Sequence, residues 1–170
     1  PEVTPEVAET NDDDGDAPDE VVVPPRGPIR KIELDVDAGE WERLHDHIGE
    51  PIEIAAAVTV DGERFEGAVV EAHGGIAREW PKKSYRVELA DEPDVHLDLF
   101  GDGLERQRRF VLKSGWIDRS FLREVLAMKI ARDSGGFAPR MAVAELWVRG
   151  ELLGLYQIVE RIDRPYLDRQ

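Results

Sequence analysis

The stretch Ile52-Glu53-Ile54-Ala55-Ala56-Ala57-Val58-Thr59-Val60-Asp61-Gly62-Glu63-Arg64-Phe65-Glu66-Gly67-Ala68-Val69-Val70-Glu71-Ala72 decides how this chain is read. Ile52, Ile54, Ala56, Val58 and Val60 fall at every second position, the period of a strand that shows one face to a core. Asp61-Gly62 then supplies a two-residue turn whose left-handed backbone matches the twist of the flanking strands. The return strand runs from Phe65 through Val70, so residues 52–72 read as a β-hairpin.

Working outward, Ile32, Leu34 and Val36 alternate with charged residues and predict a half-buried strand. Trp41, Leu44 and Ile48 follow at helical spacing, a short amphipathic helix over about 39–48. Beyond the hairpin lies a loop with Gly74-Gly75, and Tyr85, Val87 and Leu89 then mark another strand. Residues 91–108 read as an irregular excursion broken by Pro93, Gly101 and Gly103, followed by a short strand from Arg109 to Lys113 around Phe110 and Leu112. The one long helix is expected from Asp118 to about Asp133, with Asp118 or Ser120 as its cap and Gly135-Gly136 as its stop. Its apolar stripe is Phe121, Leu122, Val125, Leu126 and Ile130. A second hairpin, 141–149 and 152–160, turns at Arg149-Gly150. Six or seven mostly antiparallel strands with one dominant helix predict an α+β layer architecture.

Charge is unevenly placed. The 170 residues carry 22 bases against 37 acids, a net charge of −15, yet residues 1–25 hold nine acids and no base. Residues 1–28 also hold six of the eleven prolines and few large apolar side chains, so the segment is expected to be disordered, a tether or a solubilising tail. The body from residue 29 is one mildly acidic domain. Zero cysteines exclude disulfides, thiolate metal sites and thiol nucleophiles. No apolar run reaches the ~18 residues a membrane helix needs, and no basic stripe suits nucleic acid. The chain starts at Pro1 rather than Met, which points to an upstream segment where any signal peptide would lie.

Few residues carry chemistry on their own pattern. His45-Asp46-His47 reads as a solvated helix face, because residues two apart on a helix diverge, and the pair His96 and Asp98 has no third ligand. His73-Gly74-Gly75-Ile76-Ala77 joins two strands, and paired glycines let backbone amides approach an anion, although they also mark any tight turn. Lys83 alternates with Tyr85, Val87 and Leu89 and so lies on the core-facing side, whereas Lys82 is expected to face solvent. A lysine at the edge of an apolar strand face calls for an anionic partner or a solvated cleft, and Glu124 on the long helix is one candidate partner. A strand lysine, a helix glutamate and a glycine loop together are the phosphate-gripping layout of protein kinases. A lysine snorkelling at a strand end explains Lys83 equally well.

Three ordered stretches then resemble one family. Gly74-Gly75-Ile76-Ala77-Arg78-Glu79-Trp80-Pro81-Lys82-Lys83-Ser84-Tyr85-Arg86 is similar to the "PKKSYR" signature of the spore-coat-H (CotH) kinase family. Trp116-Ile117-Asp118-Arg119-Ser120-Phe121-Leu122-Arg123 is similar to its helix start, and Leu146 through Asp163 to its "NGxyxGxYxlxExID" hairpin. The resemblance spans about residues 29–168. It implies a kinase-like N-terminal lobe of an atypical secreted or surface protein kinase, one that uses ATP and Mg²⁺ to phosphorylate Ser or Thr of coat or surface proteins. It further implies Lys83, or else Lys82, as the phosphate lysine, Gly74 and Gly75 as the phosphate loop, and Val159-Glu160-Arg161 as the segment meeting adenine. His73 stands where the family usually has Arg, Ile76 and Ala77 replace serines, and Glu124 stands where Asn is common. In this family the catalytic and metal-holding acids lie in a second lobe beyond the "ExID" segment. With the chain ending at Gln170, an N-terminal lobe inactive by itself is therefore expected. The alternatives are a non-catalytic coat or surface scaffold that binds partners on the same fold, and a generic acidic domain from a salt-adapted organism. The last rests on only five of the 22 bases being lysine.

Overall fold

The computed structural model describes residues 29–91, 97–101, 103 and 107–168. The leading segment expected to be disordered, residues 1–28, lies outside the described residues, as does His96. The elements are β1 (Arg30–Val36), α1 (Ala38–Asp46), β2 (Glu53–Val60), β3 (Glu63–His73), β4 (Ser84–Glu88), β5 (Arg109–Lys113), α2 (Arg123–Asp133), β6 (Met141–Val148), β7 (Glu151–Glu160) and α3 (Arg164–Leu167). A 3₁₀ turn, Ile76–Glu79, follows β3. No described helix is long and apolar enough to cross a membrane.

The seven strands form a closed barrel in the order β1-β2-β3-β4-β5-β7-β6. This corrects the expected α+β layering with one long helix and the kinase-like lobe it resembled. The strand that overturns it is β1, which pairs antiparallel with β2 on one side and parallel with β6 on the other. Ile32 stands opposite both Val60 and Leu146, so the sheet has no free edge. Alternating side chains fill the interior. Ile32, Val58, Val70, Val87, Phe110, Leu112, Leu146 and Ile158 are completely inaccessible or nearly so. Each such side chain contributes roughly 1.5–3 kcal/mol on burial, which makes this interior the main source of stability.

The expected long helix is also shorter than the pattern suggests. Asp118 does act as the capping acceptor, taking the amide of Arg123 at 3.0 Å. Between them, however, Phe121 adopts a φ of 61° and packs its ring against Gly115. Residues 118–122 therefore form a turn, and α2 has eleven residues, none of them buried. Its stripe rides on the outside of the barrel, leaving Leu122, Leu126 and Ile130 exposed. The stop is as read, with Gly135 at a φ of 78° and the Gly136 amide on Ala131 O at 2.8 Å.

Helix α1 closes one mouth of the barrel. Asp37 caps it by accepting from the amides of Gly39 and Glu40, and Leu44 drops fully buried into the core. At the opposite end lie the β2–β3 turn, where Asp61 holds Arg30 at 2.6 Å, and the buried Leu97 and Leu99.

Candidate functional site

Strand register divides the candidate residues between two sides of the sheet. Tyr85 stands opposite Leu112, and Leu112 opposite Ile158; these are interior residues. The neighbouring positions therefore face outward. His73 pairs with Ser84 and Lys113 with Gln157, and the Ser114 amide donates to Ser84 Oγ at 2.9 Å. One row on the outer face thus runs His73, Ser84, Lys113, Gln157. The next row runs Glu71, Arg86, Val111, Val159, Met141.

The Gly74-Gly75 loop leaves directly from the first row. Gly74 has a φ of 107°, and a Cβ there would lie 3.1 Å from Ala77 Cβ. Nothing lies within 4 Å of the Cβ position at Gly75, so the backbone there is open to an approaching group.

Lys113 is the cation of the first row. Its Nζ lies 2.5 Å and 2.6 Å from the two carboxylate oxygens of Glu124. The expected partner of Glu124 was Lys83, but Glu124 pairs with Lys113 instead. Lys83 lies on the interior side as alternation required, lining a cavity with Tyr85 at the barrel mouth, and its Nζ donates to Arg78 O at 2.6 Å. Lys82 does not face open solvent. It reaches into the same cavity, donates to Leu155 O, and lies 4.3 Å from the ring centroid of Tyr156; burial lowers its pKa. His45 likewise leaves the expected solvated helix face, joining Tyr85 Oη at 3.0 Å.

Around Lys113 the outer face is polar and partly dry. Burial pushes the His73 pKa below the ordinary imidazole value, Arg86, Arg78 and Lys113 push the same way, and Glu71 opposes them. Arg86 pairs with Glu71 at 3.0 Å. Gln157 is fully buried; its amide nitrogen donates to Phe121 O at 3.1 Å, while its oxygen has no partner among the described residues. Further along, Val69, Glu88 and Arg108 line a cavity of about 320 Å³.

The three residues expected to meet adenine sit where this face ends. Val159 is half-buried on it. Glu160 is not an outward group: its carboxylate is buried against Arg140, 2.8 Å from Nη2, and its amide donates to Arg140 O at 3.0 Å. Arg161 lies 3.8 Å from Glu88. Among the described residues no group of three His, Asp or Glu side chains is placed to hold a metal.

Lys113, the partner of Glu124, is a residue that sequence reasoning did not single out. Its signal was present, since Phe110 and Leu112 alternate inward and so place Arg109, Val111 and Lys113 outward.

Residues 70–170, more than half of the chain, match the family model described as CotH kinase protein. The match begins in β3 and takes in the whole outer face around Lys113, whereas β1, α1 and β2 precede it. No curated protein matches the chain.

Proposed function

The chain belongs to the CotH kinase protein family, and from that membership we propose that its outer barrel face binds the phosphates of ATP, with Lys113 as the phosphate lysine. A kinase-related role follows from the family itself. The observation that carries the finer reading is the two-oxygen clasp of Lys113 by Glu124, on a face that also holds the Gly74-Gly75 loop. A strand lysine oriented by a helix glutamate is how kinases aim an ammonium group at phosphate oxygens.

The residues present fit a triphosphate. Lys113 supplies charge, the open backbone at Gly74 and Gly75 supplies amides, and Val111 with Val159 supplies an apolar wall for a base. Phosphoryl transfer also needs carboxylates that hold Mg²⁺ and position the acceptor hydroxyl. The role proposed for the described residues is nucleotide capture. The family resemblance supports Ser or Thr of a coat or surface protein as acceptor, and a secreted or envelope location.

Calorimetry with ATP tests this. Wild type should bind and Lys113→Ala should lose at least tenfold in affinity, while Lys83→Ala should bind as wild type. Equal affinity of wild type and Lys113→Ala would overturn the assignment.

A second reading, a non-catalytic coat or surface scaffold, is favoured by one observation: Leu122, Leu126 and Ile130 form an exposed apolar stripe along α2, as a partner-binding helix would. Absence of ATP binding by the wild-type chain would support it.

A further inference from the structure

The mouth of the barrel closed by α1 holds a second cavity, of about 420 Å³, on the opposite side of the sheet from Lys113. Trp41, Tyr85, Trp116 and Tyr156 line it, together with Lys82 and Lys83. Trp41 and Tyr85 lie 5.1 Å apart by ring centroids and Tyr85 and Tyr156 6.2 Å, so three flat faces converge. The lysines are the unusual part. Each donates to a backbone carbonyl, Lys82 to Leu155 and Lys83 to Arg78, and neither makes an ion pair among the described residues. A carbonyl brings no negative charge to a half-buried ammonium. The rings of Tyr156 and Phe121, 4.3 Å and 5.2 Å from Lys82 Nζ, meet part of that charge, and among the described residues Lys83 has only the Arg78 carbonyl. The cavity is therefore complementary to a group that brings carboxylates alongside a flat apolar surface. Aromatic-lined grooves characteristically take proline-rich, extended peptide.

We propose that the barrel mouth docks an acidic, proline-bearing peptide, and that its resident occupant is this chain's own leading segment, residues 1–28. That segment has nine acids, no base before Arg26, and six prolines. Its charge opposes that of Lys82 and Lys83, and its prolines suit the rings. The described chain starts at Ile29, at the end of the barrel away from the mouth. A seven-residue strand such as β1 spans about 23 Å at ~3.3 Å per residue, and 28 extended residues reach up to about 90 Å, so the segment is long enough to reach the mouth. Tethering gives it an effective concentration in the millimolar range, at which even weak contacts hold. The docking involves none of the residues assigned to the nucleotide face.

The test uses the full chain labelled with 5-fluorotryptophan, read by fluorine NMR at low salt. Replacing Asp12, Asp13, Asp14 and Asp16 by Asn should shift the Trp41 and Trp116 signals, and so should Lys82→Gln with Lys83→Gln. The signal of Trp147, stacked on Lys31 away from the cavity, should stay in place in both. Synthetic peptide 1–28 added to the Asn variant should return both signals to their wild-type positions, and adding the two lysine changes should weaken that binding at least tenfold. Unchanged Trp41 and Trp116 signals in the Asn variant would overturn the proposal. So would peptide binding that ignores the lysine changes. Binding of peptide 1–28 only in trans, with no difference between wild type and the Asn variant, would refute the resident occupant. None of these readouts involves ATP, so a failure here leaves the nucleotide reading standing.

Discussion

Lys113 on β5 and Glu124 on α2 meet with both carboxylate oxygens within 2.6 Å of one ammonium group, although each side chain keeps about a third or more of its surface accessible. A pair so exposed contributes only ~0–1 kcal/mol to folding. Lys113→Ala should therefore leave the midpoint of thermal unfolding nearly unchanged while ATP affinity collapses. Glu124→Gln should weaken ATP binding less, because the cation remains and only its aim is lost. Parallel melting curves and ATP titrations check both, and a large stability loss in Lys113→Ala would assign the pair to the fold instead.

Gly74 should resist substitution. Its φ of 107° is closed to side chains, and a Cβ would press on Ala77, so Gly74→Ala should cost about 1–3 kcal/mol. Gly49→Ala, at a position with open space around the Cβ, should change stability by less than about 0.5 kcal/mol. Urea unfolding distinguishes them. Equal midpoints would show that the loop relaxes freely.

Glu160 should behave as a structural residue. Its carboxylate and the guanidinium of Arg140 are both almost fully buried and paired at 2.8 Å, with Arg140 also stacked 4.6 Å from the ring centroid of Phe100. Glu160→Ala removes the carboxylate paired with a buried cation and should cost about 3–5 kcal/mol. Replacing the pair together, Glu160→Leu with Arg140→Met, should recover much of that loss. Denaturant unfolding of the three variants decides this, and a double variant no more stable than Glu160→Ala would contradict it.

His73 predicts a pH dependence with a definite sign. Its folded pKa lies below the ordinary value near 6.5. As pH falls through about 6.5 the unfolded chain takes up the proton first, so stability declines from there down to the folded pKa and is unaffected above. His73→Gln should flatten this part of the profile, below about pH 6.5. An unchanged slope would show that His73 does not contribute.

Much of the barrel could be read locally, because alternation and turn chemistry are local. Asp61-Gly62 and Arg149-Gly150 carry the two hairpins, and both turns have left-handed backbones. The closure could not be read that way, since nothing near Ile32 signals that Leu146 will lie beside it. The start of α2 misled for a different reason: the capping acid Asp118 lies five residues before the first helical residue, Arg123, and Phe121 turns the backbone between them. At the site, periodicity placed Lys83 on the correct face. The mispairing arose because a helix outside the barrel meets outward side chains, so Glu124 could reach Lys113 and not Lys83.

The parallel contact between β1 and β6 also dictates when this protein can finish folding. Ile32 and Leu146 are 114 residues apart, and closing a loop of that length costs about 4 kcal/mol in chain entropy beyond a constant. During synthesis β1 and β2 emerge early, yet β1 has one unsatisfied edge until the β6–β7 hairpin has left the ribosome. For most of its synthesis the nascent chain therefore presents an open strand to its neighbours, and the ring forms last. A slow, late folding step and a demand for protection of that edge are the kinetic counterpart of a sheet that ends up with no edge at all.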